Sequence, residues 1–170
     1  MELFSAAAGM KGKRMSKVSV IIPNYNGKKY LRDCLDAMEC QSFRDFEVLL
    51  IDNGSDDGSG DLIRKEYPWV RLISLRENTG FCGAVNQGIR NSASPFVILL
   101  NNDTVADKNF IKELLKAIED KPQAFSCQAK LLKMKEQDKM DDGGNYYCAL
   151  GWAFAQGKGR PERDYSREKK

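Results

Sequence analysis

Two aspartates stand directly behind apolar runs: Asp52 follows Phe46–Ile51, and Asp103 follows Phe96–Leu100 after Asn101 and Asn102. An aspartate at the end of a strand, with a turn and paired carboxylates just beyond it, suits hydrogen bonding to a base or ribose. Asp103 suits a hard divalent cation, which takes oxygen ligands. A cation bridging a nucleoside diphosphate would stabilise negative charge on a departing phosphate. A third polar cluster, Pro23-Asn24-Tyr25-Asn26, follows the run Val18–Ile22. The chain has no histidine, which excludes imidazole triads and most zinc chemistry. Its first turn after a strand carries no Gly-x-Gly-x-x-Gly, and no Gly-x-x-x-x-Gly-Lys-Ser/Thr occurs, so neither a dinucleotide dehydrogenase nor a P-loop phosphotransferase fits.

The elements that must position these groups are legible from periodicity. Val18–Ile22, Phe46–Ile51, Val70–Leu75 and Phe96–Leu100 are short, rich in branched residues and bounded by turn formers. They predict buried parallel strands. Between them Leu31, Cys34, Leu35 and Met38 share a helical face, as do Ala84, Val85, Gly88 and Ile89; Ile111, Leu114, Leu115 and Ile118 repeat the spacing with Asp107 placed as N-cap. Ser55 and Asp56 read as caps of a helix containing Leu62 and Ile63, and a fifth strand is expected near Ala124–Leu132. Strand and helix alternate throughout, which predicts a doubly wound, mostly parallel α/β sheet with flanking helices. The three polar clusters then meet at the carboxyl edge, where open parallel sheets bind ligands.

With 170 residues the chain is long enough for one domain. Residues 1–16 read as a disordered leader, 17–132 as the ligand-binding α/β core, and 133–170 as an irregular segment, charged and read as a surface loop or short helix up to Asp142, with a basic tail. From Lys158 to Lys170 six basic and three acidic side chains account for the whole net charge of +3. This tail and the group Lys11, Lys13, Arg14 and Lys17 are expected to be solvated, with contact to anionic lipid or nucleic acid as the sharper alternative. Five widely spaced cysteines without a Cys-x-x-Cys pair argue against a disulfide framework or zinc site. No apolar stretch is long enough to span a bilayer, and a cytosolic location is expected. Cys82 reads as a small buried residue rather than a nucleophile, Tyr25 as packing on the sheet end or meeting a ligand, and Trp69 and Trp152 as core or its margin.

Four segments together resemble the inverting family-2 glycosyltransferases of GT-A fold, and more narrowly their rhamnosyltransferase-like branch. They are Val18-Ser-Val-Ile-Ile-Pro-Asn-Tyr-Asn26, Val48-Leu-Leu-Ile-Asp-Asn-Gly-Ser-Asp-Asp-Gly58, Glu77-Asn-Thr-Gly-Phe-Cys-Gly-Ala-Val-Asn-Gln-Gly88 and Ile98-Leu-Leu-Asn-Asn-Asp-Thr104. The resemblance implies a GT-A-like domain in which Pro23 and Tyr25 lie beside the base and Asp52 bonds the pyrimidine. Asn26, Asn78, Gly80, Asn86 and Asn102 would shape the sugar-nucleotide pocket, with Asp103 and Asn101 on Mg2+ or Mn2+. Where many members carry Asp-x-Asp, this chain has Asn101-Asn102-Asp103, and one fewer carboxylate predicts weaker metal binding. Inversion needs a general base to take the acceptor's proton, and no segment matches the family's acceptor-binding half. Asp141 and Asp142 are the late paired acids before the tail, in an apparent loop.

Two readings from different classes follow. In one the chain is a donor domain, apparently truncated in the acceptor half, that binds dTDP-rhamnose or a similar nucleoside diphosphate sugar. It would serve a cell-surface polysaccharide or lipid-linked acceptor at the inner membrane face. In the other it is a catalytically silent nucleotide-sugar-binding or interaction module. A nucleic-acid-binding domain has only the basic ends in its favour, so no nucleic-acid partner is expected.

Overall fold

The computed structural model describes residues 15–147 and 153–165. The expected leader up to residue 14, Cys148, Trp152 and the end of the basic tail from residue 166 lie outside them. The chain divides into two compact units, Met1–Asn109 and Phe110–Lys170.

The first unit alternates strand and helix: β1 (Val18–Asn24), α1 (Lys28–Glu39), β2 (Phe46–Asp52), α2 (Ser59–Glu66), β3 (Arg71–Ser74), α3 (Gly80–Asn91) and β4 (Phe96–Leu99). All pairings are parallel, in the order β3-β2-β1-β4. The order follows from handedness. Right-handed crossovers from β1 to β2 and from β2 to β3 march one way and put α1 and α2 on one face. The return from β3 to β4 reverses direction and puts α3 on the other. Strand residues therefore divide by parity. Ile21, Leu49 and Ile51 cluster with Ala84 of α3, backed by Ile73 and Leu75. The opposite parity, Val20, Ile22, Val48 and Leu50, is equally buried, as are Leu31, Cys34, Leu35 and Met38 of α1. With both faces covered, β1 and β2 read as unbroken apolar runs rather than alternating ones.

β4 departs from the expected burial. Its pattern alternates, with Val97 at 40% and Leu99 at 51% exposed. The cause is position: β4 is an edge strand hydrogen-bonded to β1. Apolar composition does not bury a strand that, among the described residues, pairs with a neighbour on one side alone.

The helix starts also differ from expectation. Gly58 precedes α2 and the carboxylate of Asp57 accepts from Ser59 N at 2.9 Å and from its hydroxyl at 2.5 Å, so Asp57 caps this turn rather than Ser55 or Asp56. Asp107 accepts from Asn109 N at 2.8 Å and so shapes the turn before the next helix, which begins only at Phe110; it is not that helix's N-cap.

The second unit holds α4 (Phe110–Glu119), with Ile111 and Leu115 buried, and two small antiparallel pairs. β5 (Leu131–Leu132) pairs with β6 (Met140–Asp142), and β7 (Asn145–Tyr147) with β8 (Ala153–Ala155). A 3-10 turn spans Glu162–Asp164. The expected fifth strand over Ala124–Leu132 shrinks to its last two residues, antiparallel within its own two-stranded sheet. Phe125 is fully exposed, and among the described residues no strand pairs with the backbone of residues 126–130. The segment 133–142, expected as loop or helix, turns back as β6 and buries Met140.

Candidate functional site

Parallel register brings the polar clusters of the first unit together. Asn24 is the residue opposite Asp52, both at their strand ends, and Leu99 lies opposite Ile21. Backbone bonds from Asn53 N to Asn24 O (2.8 Å) and from Leu75 N to Asp52 O (2.8 Å) continue the pairing past the strands. Leu100 N to Ile21 O (3.0 Å) does the same on the other side. The loops that leave β1 and β2 thus start level, while β4 ends opposite Ile21, three residues short of Asn24, and its Asn101–Asp103 turn runs on to the same edge.

Asp52 is 6% exposed. A carboxylate so shielded needs a donor, because an unpaired buried charge is costly. Asn24 supplies one: its Nδ2 lies 3.3 Å from Asp52 Oδ1 and 3.3 Å from Ser55 Oγ, while its Oδ1 accepts from Asn102 Nδ2 at 2.7 Å. Asn24 is itself buried. The turn after β1 is clamped to the turn after β2 from both sides. Asn26 N donates to Ser55 Oγ (3.0 Å) and Asp56 N to Asn26 Oδ1 (3.0 Å), with Asn26 in the left-handed region at φ 49°. Asparagine tolerates that region better than most residues do. This clamp leaves Tyr25 at the apex with 52% of its surface exposed, so it does not pack on the sheet end, and half-buried Pro23 lies just below.

The turn after β2 is also fastened to the start of α3. Asn53 Oδ1 accepts from Thr79 N (2.9 Å) and Thr79 Oγ1 (3.0 Å), and its Nδ2 donates to Asn78 Oδ1 (2.9 Å) and to Gly80 O (3.2 Å). Asn78 Oδ1 also accepts from Gly80 N at 2.8 Å. Gly54, at φ 77°, lies so close to the Glu77 backbone that a Cβ there would sit 2.8 Å from its carbonyl carbon. Glycine meets both demands at once.

After β4, Asn101 O accepts from Thr104 Oγ1 (2.7 Å) and Thr104 N (3.3 Å), which closes the turn carrying Asp103. Cys34 Sγ lies beneath, 3.8 Å from the same carbonyl. Burial, reinforced by the nearby negative charge of Asp103, pushes the Cys34 thiol up to about 12, so it stays protonated.

Of the expected site residues, Pro23, Tyr25, Asn26, Asp52 and Asn102 come together at the ends of β1, β2 and β4. Asn101 and Asp103, both exposed, belong to the loop that carries Asn102. Asn78 and Gly80 join through Asn53. Asn86 is exposed on α3, nearly two turns beyond Gly80 and opposite the face of Ala84, Val85 and Gly88, so these contacts do not reach it. Asn24, Asn53, Asp57 and Thr79, and Ser55 in place of its expected role as a helix cap, also take part in these contacts. One signal was available for the first: strands of equal length ending together make Asn24 the neighbour of Asp52. Cys82, expected to be buried, is exposed on the first turn of α3.

The donor set fits a metal only in company. Among the described residues no group of three cysteine or carboxylate side chains surrounds a common point. Asp103 with the Asn101 amide could anchor Mg2+ or Mn2+ where diphosphate oxygens complete the shell, the usual way Mg2+ is held. A separate cavity of about 270 Å3 opens between α1 and α2, lined by Lys28, Arg32, Asp61, Lys65 and Glu66 among others. It contains none of these site residues.

The sequence matches the model of the family described as Glycosyl transferase family 2 over residues 19–164. Glycosyltransferase GlyA of Streptococcus pneumoniae serotype 4 is 32% identical over 60% of this chain and 15% of its own length. A putative teichuronic acid biosynthesis glycosyltransferase of Bacillus subtilis, TuaG, is 27% identical over 73% of this chain and 50% of its own. The chain thus spans half or less of each. Among solved structures, S. aureus TarS 1–349 in complex with UDP superposes with a TM-score of 0.57 at 27% identity, over 61% of this chain and 32% of that one. The same protein has been solved with UDP-GlcNAc. The mostly parallel sheet with flanking helices is that of these GT-A-like neighbours.

Proposed function

We propose that this chain, which belongs to glycosyl transferase family 2, supplies the donor-binding part of an enzyme that transfers a sugar from a pyrimidine nucleoside diphosphate, through a donor domain over residues 17–132. The observation that carries the reading is the junction of Asp52, Asn24 and Asn102 at one edge of the sheet. It sets a shielded carboxylate that can accept from a base N–H within two side chains of the loop bearing Asp103. Tyr25, exposed above Pro23, offers a ring face to the base. Asn78 and Gly80, at the start of α3, face the sugar side of the pocket, and Asn26 holds the β1 turn in shape. Asp103 and Asn101 would hold Mg2+ or Mn2+, which would offset charge on the departing diphosphate. The TarS complexes favour a uridine nucleotide. The resemblance of the Asn101-Asn102-Asp103 segment to the rhamnosyltransferase-like branch favours dTDP-rhamnose, and both share the pyrimidine edge that Asp52 would read.

On this reading the transfer inverts the sugar and requires a base opposite the leaving group. Asp142 is a poor candidate, since its Oδ1 already accepts from Gly144 N at 2.8 Å. That engagement favours, as a second reading, a module that binds the nucleotide sugar without transferring it. The TuaG likeness favours a cell-surface or lipid-linked acceptor, met at the inner face of the membrane; no described helix is long and apolar enough to cross it. Calorimetric titration of UDP and dTDP, with and without Mn2+, tests the donor site. Binding that weakens at least tenfold in Asp52→Ala is expected. Incubation of UDP-GlcNAc and dTDP-rhamnose with a lipid-phosphate acceptor then separates the readings, because release of UDP or dTDP is expected from the enzyme and none from the silent module.

A further inference from the structure

We propose that Asn24 is a positioning residue that couples the base end of the donor site to its diphosphate end. The inference rests on the donor-site reading and extends it to a residue that touches neither a base nor a phosphate.

The case starts from the hydrogen-bonding inventory. An ionised Asp52 can only accept, so the Asn24 amide must turn its NH2 toward it and its carbonyl away. The carbonyl then needs a donor, and Asn102 Nδ2 fills the place at 2.7 Å. One amide thereby fixes two others: the carboxylate orientation of Asp52 on one side and the seat of the Asn101–Asp103 loop on the other. Each partner belongs to a different strand end, and the register of β1 with β2 places Asn24 against Asp52 without any loop in between.

Gly27 gives independent support. It is a buried glycine with an ordinary negative φ of −107°, so its backbone does not demand glycine. Space does: a Cβ here would fall 2.6 Å from Asn24 Oδ1 and closer still to Asn102 Nδ2. The entry to α1 is shaped around the Asn24–Asn102 pair. A carboxylate at position 102 would face the Asn24 carbonyl with no proton to share, and one at position 24 would oppose Asp52 at hydrogen-bond range. The pair works only as two amides, in these orientations.

The test uses uridine, which probes the base end alone, and UDP, which probes both ends. Each is titrated calorimetrically into the full chain and into Asn24→Ala, Asn102→Ala, the double variant and Gly27→Ala, with melting temperature recorded for each. Loss of one buried hydrogen bond corresponds to about a tenfold weakening. Asn24→Ala, which releases both Asp52 and Asn102, is expected to weaken uridine by about tenfold and UDP more, by up to about a hundredfold. Asn102→Ala should weaken UDP by about tenfold while uridine stays within about twofold. The double variant should bind UDP no worse than Asn24→Ala, because both act through one contact. If Asn24→Ala does not fold, Gly27→Ala supplies the same test, and it is expected to reproduce the Asn102→Ala pattern by displacing that side chain. Wild-type affinity for UDP in Asn24→Ala, a double variant that binds UDP about a further tenfold worse than Asn24→Ala, or an unchanged Gly27→Ala would each overturn the coupling while leaving the donor site standing. A wild-type chain that binds neither probe would instead overturn the donor-site reading, and the coupling with it.

Discussion

Two regions of one sheet face differ sharply although their sequences look alike. At its centre Ile21, Leu49 and Ile51 are wholly buried under α3, whereas at the β4 edge Val97 and Leu99, of the same parity by register, are 40% and 51% exposed. Ser19, level with Val97, is nevertheless buried, its hydroxyl within 2.8 Å of Glu47, Ser92 and Ser94. Hydrophobicity therefore does not decide burial here; neighbours do. The covered half of the sheet also carries Asn24, Asp52 and Asn53, all buried, so the proposed base end of the site is fastened to the buried part of the sheet. The Asp103 loop leaves from the thin edge and is held by cross-links to Asn24 and Thr104. On the proposed reading, the base end is the more firmly held and the diphosphate end the more lightly tethered.

The comparison can be broken most strongly by truncating the core on either side of it. Leu49→Ala should destabilise the fold by about 3 kcal/mol, in the range of buried leucine truncations, and Leu99→Ala by less than about 1 kcal/mol. Urea unfolding of the two variants measures the gap, and equal losses would mean that β4 is covered in solution. Next in size, Asn53→Ala removes a buried amide that serves four partners and should cost about 2 kcal/mol. Backbone amide exchange at Thr79 and Gly80 should accelerate, while that of Ile21 does not, because the damage stays at the α3 start.

Thiol chemistry sharpens the same contrast with no change of sequence. Cys34, buried and pushed up to about 12, should resist an aromatic disulfide reagent at pH 8 until the chain unfolds. Cys40, Cys82 and Cys127 are exposed and should react at once. Prompt labelling of Cys34, located by peptide mass, would show that the β4 loop above it opens readily. The smallest effect concerns Asp57. Slight burial works to raise its pKa, but hydrogen bonds from Ser59 and Lys28, with the Lys28 charge, outweigh this and hold it below the ordinary 3.8. A depressed carboxylate contributes stability above its unfolded pKa and loses it as pH falls through the folded one. Asp57→Asn should therefore narrow its stability deficit only below about pH 4, as read by melting temperature against pH.

The parts of this molecule legible in the sequence were those governed by period and punctuation. Branched apolar runs ending in Asn24, Asp52 and the Asn101–Asp103 turn gave the strands of the first unit and the edge where polar groups gather. The face of Leu31, Cys34, Leu35 and Met38 gave α1. What escaped has a common cause in tertiary context. Asn24 and Asn53 look like turn residues one at a time, and only register shows that one faces Asp52 while the other binds the start of α3. Ser55 looked like a helix cap and instead joins two turns, because Asp57 lies nearer to the first free N–H groups of α2. The Ala124–Leu132 run looked like a strand, yet a strand needs a partner at the right distance, which sequence alone does not supply.

The central claim, that the ends of β1, β2 and β4 form a nucleotide site, is tested most directly by titrating UDP into the chain and into Asp52→Ala in the presence of Mn2+. The account predicts measurable binding by the wild type and at least a tenfold loss in a variant that melts as cooperatively as the parent. Undiminished affinity in Asp52→Ala, or no binding by a folded wild-type chain at millimolar UDP, would contradict it.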